Sequence, residues 1–334
     1  MAGLLIAVVL GAAALSAGLI VVLRPLLARH ALAHPNARSS HAVPTPQGGG
    51  IAVIAATGIV ATVALLSGPE RAALAQLWPL VGAVVLLAVV GAVDDLRTIA
   101  VLPRLLLQFA AVIAVIATLP DELRVIPALP VWIERVVLAL AVVWFVNLTN
   151  FMDGIDWMTV AEVVPITAGF AILSLMGALP VFATIVALAL LGATLGFAPF
   201  NRPVARLFLG DVGSLPIGVL LFWLLVELAG HGRIAAALLL PLYYLADATV
   251  TLLARAARGE SVLQAHRCHF YQRARDRGLP VPAIIRRVFA VNVLLVALAV
   301  ASVWMGAALF DIAALVGGAA LVGWLLASLA KGAR

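Results

Sequence analysis

Apolar stretches recur along this chain from Ala2 almost to Ala330, and a helix needs about 20 mostly apolar residues to cross a bilayer. Hydrophobic residues make up 65% of the 334 positions, charged residues 11%, and the mean hydropathy is +1.18. A soluble domain cannot hide that much apolar surface, so lipid is the solvent this chain is built for. Period-two alternation is absent, which argues against a transmembrane barrel. The expected fold is all-α: one polytopic helical bundle over 1–334, with eleven spans near 2–23, 48–67, 76–93, 105–119, 133–149, 160–178, 181–199, 213–230, 234–253, 284–305 and 309–330. The first stretch lacks a basic start and is full length, so it reads as a retained helix and not a cleaved signal.

The formal net charge of +6 and pI near 10.6 would suggest nucleic acid in a soluble protein. Here topology and anionic groups at the membrane surface explain them better, and no nucleic-acid partner is expected. Comparing alternate connections places 17 of the 21 basic residues on one side. Only Arg71, Arg124, Arg135 and Arg233 fall on the other. The positive-inside rule then puts the N-terminus outside and the C-terminus in the cytoplasm. Trp78 and Trp132 fall where an outer aromatic belt is expected. Cys268 is the lone cysteine, so no internal disulfide forms.

The cytoplasmic connections carry nearly every chemically unusual residue. The first holds Arg38 and His41 ahead of Gly48-Gly49-Gly50, whose N–H groups at a helix start could face a phosphate. The second opens with Asp94-Asp95, adjacent acids at a lipid boundary that call for a metal, a proton or arginine partners. The third reads Asn150-Phe151-Met152-Asp153-Gly154-Ile155-Asp156, and a helix beginning there would show both acids on one face. The fourth runs from Asn201 to Phe208-Leu209-Gly210-Asp211, where a hard carboxylate between glycines suits magnesium shared with phosphates. The fifth carries His266-Arg267-Cys268-His269, donors suited to a pyrophosphate, with both histidines on one face if the segment is helical. Asp247 lies inside an apolar span and is a functional candidate by default.

Taken in order, Pro35-Asn36, His41, Asp94-Asp95, Asn150-x-x-Asp153-Gly154-x-Asp156, Phe208-x-Gly210-Asp211-x-Gly213-Ser214 and the late histidines resemble the polyprenyl-phosphate N-acetylhexosamine-1-phosphate transferase family. The His-Arg-x-His-x-Tyr-Gln form looks most like its O-antigen-initiating branch. The resemblance covers nearly the whole chain. It implies a UDP-HexNAc donor, an undecaprenyl phosphate acceptor, release of UMP, and Mg²⁺ with Mn²⁺ as the alternative ion. It also implies roles: Asp211, with Asp95, for metal; Asp94 and Asp95 for the lipid phosphate; and Asn150, Asp153, Asp156, Asn201 and Phe208 for the uridine-sugar. Arg38, His41 and Arg267 would contact substrate, and His266 and His269 the diphosphate. A homodimer is left open. Trp157 departs from the family pattern, where relatives usually carry glycine, as do the separated histidines. The non-enzyme alternative is a transporter or flippase, which does not explain acids gathered in loops at one face.

Overall fold

The computed structural model describes residues 2–33, 43–261 and 266–332. Its helices, in chain order, are α1 (Ala2–His30), α2 (Gly50–Leu66), α3 (Leu74–Leu96), α4 (Val101–Ile116), α5 (Val131–Met152), α6 (Met158–Leu175), α7 (Val181–Phe197) and α8 (Asp211–Gly230). They continue with α9 (Ile234–Leu239), α10 (Leu242–Ala257), α11 (Phe270–Asp276), α12 (Val281–Met305) and α13 (Ala308–Lys331). Between α1 and α2, the short strands β1 (Leu32–Ala33) and β2 (Thr45–Pro46) pair antiparallel. Seven of the described helices are long and apolar enough to cross a membrane, and α2, α4 and α7 are shorter apolar helices. The chain is therefore an all-α, multi-pass membrane protein, as its composition requires.

Ten of the eleven expected spans fall on single helices. The span expected at 234–253 is two helices, α9 and α10. Pro241 stands at the break, where it offers no N–H and its ring opposes continuation of the preceding turn. α1 runs seven residues past the expected Leu23, to His30, and accommodates Pro25.

Helix α8 is the axis of the bundle. It is buried along almost its whole length and packs against α2, α3, α5 and α9. Around it, α1, α2 and α6 enclose α7, and α12 packs on α6 and α13. The large side chains left exposed, such as Ile6, Val22, Leu106 and Leu309, lie on the outer helices, where lipid replaces water. The close approach of α3 to α8 depends on Gly91, because a Cβ there would collide with the main chain of Asp211. Small residues at such crossings let backbones meet in the absence of a hydrophobic drive between helices.

The two ends of the bundle differ. At one end Glu134 accepts the N–H groups of Val125 and Ile126 and the guanidinium of Arg124, while Arg135 donates to the Pro120 carbonyl. Two of that end's arginines are thus consumed by local closure. At the other end the N-terminus of α8, the C-termini of α3 and α5 and the start of α4 converge, with the arginine-rich connections around them.

Candidate active site

The site is built on the first turn of α8. The N–H groups of a helix's first turn have no intrahelical partner and carry the positive end of its dipole. Asp95, at the end of α3, takes up two of them: its Oδ1 accepts the N–H of Asp211 at 2.9 Å, and its Oδ2 that of Val212 at 3.1 Å. Gly210, with φ +78°, makes this fit possible, since a side chain there would strike the Asp95 carboxylate. Gln47 ties the same turn of α3 to the first connection by donating to the Asp95 carbonyl at 2.6 Å.

Asp211 is partly exposed. Its Oδ1 accepts a hydrogen bond from Asn150 Nδ2 at 2.7 Å, and the same amide nitrogen reaches Ser214 Oγ at 2.9 Å. Its Oδ2 faces Arg104 Nη1 at 3.8 Å. Arg104, in the first turn of α4, also donates to Asp94 Oδ2 at 2.9 Å, and the N–H of Ile99 completes Asp94 at 2.6 Å. Arg104 Nε is buried without a partner among the described residues. The cluster thus brings together Asp94, Asp95, Asp211 and Asn150. It adds Arg104 and Ser214, which the sequence alone did not single out. Arg104 counts in the sequence only as one more positive-inside charge; its place ten residues after Asp94, at the next helix start, is the signal.

Asp153 and Asp156 do not sit on a helix. α5 ends at Met152 and α6 begins at Met158, so both acids lie in the turn between them. Gly154 and the left-handed Trp157, φ +64°, break the helical path there. Asp153 accepts from Thr159 Oγ1, and Asp156 from the N–H of Ala205 at 2.9 Å. Burial pushes the Asp153 carboxyl up to about 7; the Thr159 bond opposes the rise, and the charges of Asp95 and Asp156 add to it. Asn201 is buried and spends both ends internally: its Oδ1 accepts the Trp157 N–H at 2.7 Å, and its Nδ2 donates to the Leu207 carbonyl at 3.0 Å. It pins the third connection to the fourth.

The glycine run serves as a turn and not as a phosphate cradle. The N–H of Gly49 goes to the Phe208 carbonyl at 2.9 Å and that of Gly50 to the Leu209 carbonyl at 2.8 Å. Those donors stitch two connections together and are not open to a phosphate. Phe208 is half-buried, its N–H bonded to the Pro46 carbonyl at 2.9 Å. Arg38 and His41 lie outside the described residues.

The histidine segment is docked by Asp247. That carboxylate, fully buried on α10, accepts from Phe270 N–H at 3.0 Å and Tyr243 OH at 3.3 Å, and meets His269 Nδ1 at 3.3 Å. α11 starts only at Phe270, with His269 as its N-cap, so the two histidines do not share a helical face. Gln272 closes a capping box on His269, which fixes the helix start four residues after His266. Their rings nevertheless lie 4.9 Å apart, and both lie beside Phe151. Tyr271 donates to the Phe151 carbonyl at 2.9 Å, which brings this segment onto the Asn150–Asp156 connection. Burial, then the neighbouring His269, lowers the His266 pKa to about 4, so His266 is neutral at pH 7. Arg267 pairs with Asp276 at 2.7 Å.

Among the described residues no group of three or more His, Cys, Asp or Glu is arranged to cage a metal. That donor set is still suited to Mg²⁺. Magnesium typically binds one or two carboxylates, keeps waters and takes its remaining oxygens from substrate phosphates. Asp211, with one oxygen held only at 3.8 Å by Arg104, is the available carboxylate.

A multi-pass helical protein with an acidic, arginine-braced cluster on one helix N-terminus is the class that fold and site define. Residues 77–229 match the family model of glycosyl transferase family 4. Over 212 residues the chain is 27% identical to a probable undecaprenyl-phosphate N-acetylglucosaminyl 1-phosphate transferase of Bacillus subtilis (strain 168), covering 60% of this chain and 57% of that relative. The chain thus spans less than two thirds of that relative's length. The matched region holds Asp94 through Asp211 and stops before the histidine segment.

Proposed function

We propose that this protein transfers a HexNAc-1-phosphate from a UDP-sugar to undecaprenyl phosphate, releasing UMP and initiating a cell-surface polysaccharide such as O-antigen. The single domain 1–334 crosses the bacterial inner membrane eleven times, with its site on the cytoplasmic face, its N-terminus in the periplasm and its C-terminus in the cytoplasm. The reading rests on one observation: Asp94, Asp95, Asp211, Asn150 and Arg104 are joined at the N-terminus of α8. Both substrates are anionic phosphates, and their repulsion is the main obstacle. The positive end of the α8 dipole and the Arg104 guanidinium suit a diphosphate.

Asp211 would hold Mg²⁺, which when bound supplies charge neutralisation at the diphosphate. Asp95 fixes the main chain of Asp211. Asp94 aims Arg104, and Arg104 meets the phosphates. Asp153 and Asp156 take the uridine-sugar, with Phe208 against the uracil. Neutral His266 donates to the sugar phosphate, as does His269. An oxygen of the lipid phosphate attacks the β-phosphorus, the bond to the bridging oxygen breaks, and UMP leaves with that oxygen. One phosphoanhydride replaces another, so no further energy source is needed. A phosphate monoester is already largely ionised at neutral pH, so positioning matters more than a general base.

Purified protein incubated with undecaprenyl phosphate, Mg²⁺ and a panel of UDP-HexNAc donors tests this. One donor should give UMP and a lipid-diphosphate sugar in equal amounts. Absence of UMP with every donor would overturn the assignment. A phosphorylated enzyme trapped without lipid would replace direct attack by a covalent route.

A further inference from the structure

Two apolar grooves flank Arg286 at the arginine-rich end of the bundle. The first, about 570 Å³, lies between the end of α7 and the start of α12, walled by Trp157, Leu195, Pro282 and Ile285 and edged by Arg202. The second, about 460 Å³, lies between α12 and α13, walled by Ala290, Leu294, Leu321 and Trp324 and edged by Arg287. Leu195, Leu294 and Trp324 are exposed, at 41%, 50% and 61%, which places both grooves on the surface that lipid covers. Arg202 and Arg286 are exposed, and among the described residues neither forms an ion pair. Arg287 is held to α13 through Ser328 Oγ at 2.9 Å.

We propose that Arg202 and Arg286 bind the phosphate of an anionic, two-chain bilayer phospholipid whose acyl chains occupy the two grooves. Charge and shape select this ligand. A guanidinium fork matches a phosphodiester, and basic pockets between membrane helices on the cytoplasmic side take anionic headgroups. Two grooves on either side of one cation fit two chains; a prenyl phosphate has one and would leave a groove unfilled. Trp157 adds a reason specific to this chain. It holds a left-handed conformation that glycine adopts freely, φ +64°, and its indole Nε1 donates to the Ala198 carbonyl at 2.6 Å. The bulky side chain in that costly conformation forms a groove wall. An acyl chain there rests on the turn that carries Asp153 and Asp156.

The test reads bound lipid and does not depend on the transferase reading. The purified full chain is mixed with phosphatidylglycerol or phosphatidylcholine and examined by native mass spectrometry and thermal unfolding. The wild type should retain phosphatidylglycerol and gain thermal stability from it, and do neither with phosphatidylcholine. The double variant Arg202→Gln/Arg286→Gln should bind phosphatidylglycerol about tenfold less or weaker still. Ala290→Phe, which fills a groove without altering charge, should also weaken retention, and Arg71→Gln should behave as wild type. Equal retention by the double variant, equal binding of phosphatidylcholine, or one-for-one displacement by undecaprenyl phosphate would overturn the proposal.

Discussion

Asp95 and Asp211 are 116 residues apart, yet the side chain of the first receives the main-chain N–H of the second at 2.9 Å. One carboxylate therefore sets the position of another. Because Val212 donates to the second Asp95 oxygen, Asp95→Asn turns an amide donor against a helix N–H and removes a charge favourable to the dipole. The expected outcome is a loss of about 1–3 kcal/mol in stability, together with a large fall in UMP release. Thermal unfolding in detergent beside turnover measures both.

Arg104 joins Asp94 to Asp211 and, among the described residues, keeps one buried N–H unused. Arg104→Gln should lower kcat/KM by about 10²-fold, the scale for a lost donor to developing phosphate charge. Arg104→Lys should recover part of it, since a point charge replaces a fork. Steady-state kinetics of both variants, with Arg71→Gln as the control, decide the matter.

Asp153 ties stability to pH. Its folded carboxyl titrates near 7 against 3.8 unfolded, so between those values the folded state holds more protons than the unfolded. Its contribution is fully present below pH 3.8 and is lost as pH rises through 7. Wild-type protein should therefore lose more thermal stability between pH 5 and pH 8 than Asp153→Asn does. Equal slopes for the two would remove Asp153 as the source.

Asp247 anchors the histidine segment. Asp247→Ala leaves the Phe270 N–H and the Tyr243 hydroxyl without an acceptor, at about 1–3 kcal/mol each. Proteolysis at Arg258 and Arg267 should accelerate in that variant. Asp247→Asn, which retains an acceptor oxygen, should resemble wild type more closely.

Much of this was readable in the chain before folding. Apolar length alone gave the helical bundle, because lipid leaves a backbone few alternatives. The acids at 94–95, 150–156 and 211 stood out because each is costly at a span end. The unread part depended on contacts distant in sequence. Nothing local told that Gly49 and Gly50 would donate to Phe208 and Leu209, or that Asp95 would hold the first turn of α8. Arg104 hid among arginines that serve topology. The break at Pro241 was missed because prolines elsewhere, such as Pro165 and Pro216, lie inside intact helices. Trp157 was visible as a departure from the family pattern, but its left-handed backbone needed coordinates.

The most direct measurement compares wild type with Asp211→Asn in vesicles that contain or lack undecaprenyl phosphate, with Mg²⁺ and the preferred UDP-HexNAc. UMP should appear with wild type only when the lipid is present. The folded Asn variant, with its helical spectrum intact, should release almost none. UMP production without the lipid, or full turnover by Asp211→Asn, would contradict the assembly of a phosphate-transfer site at the N-terminus of α8.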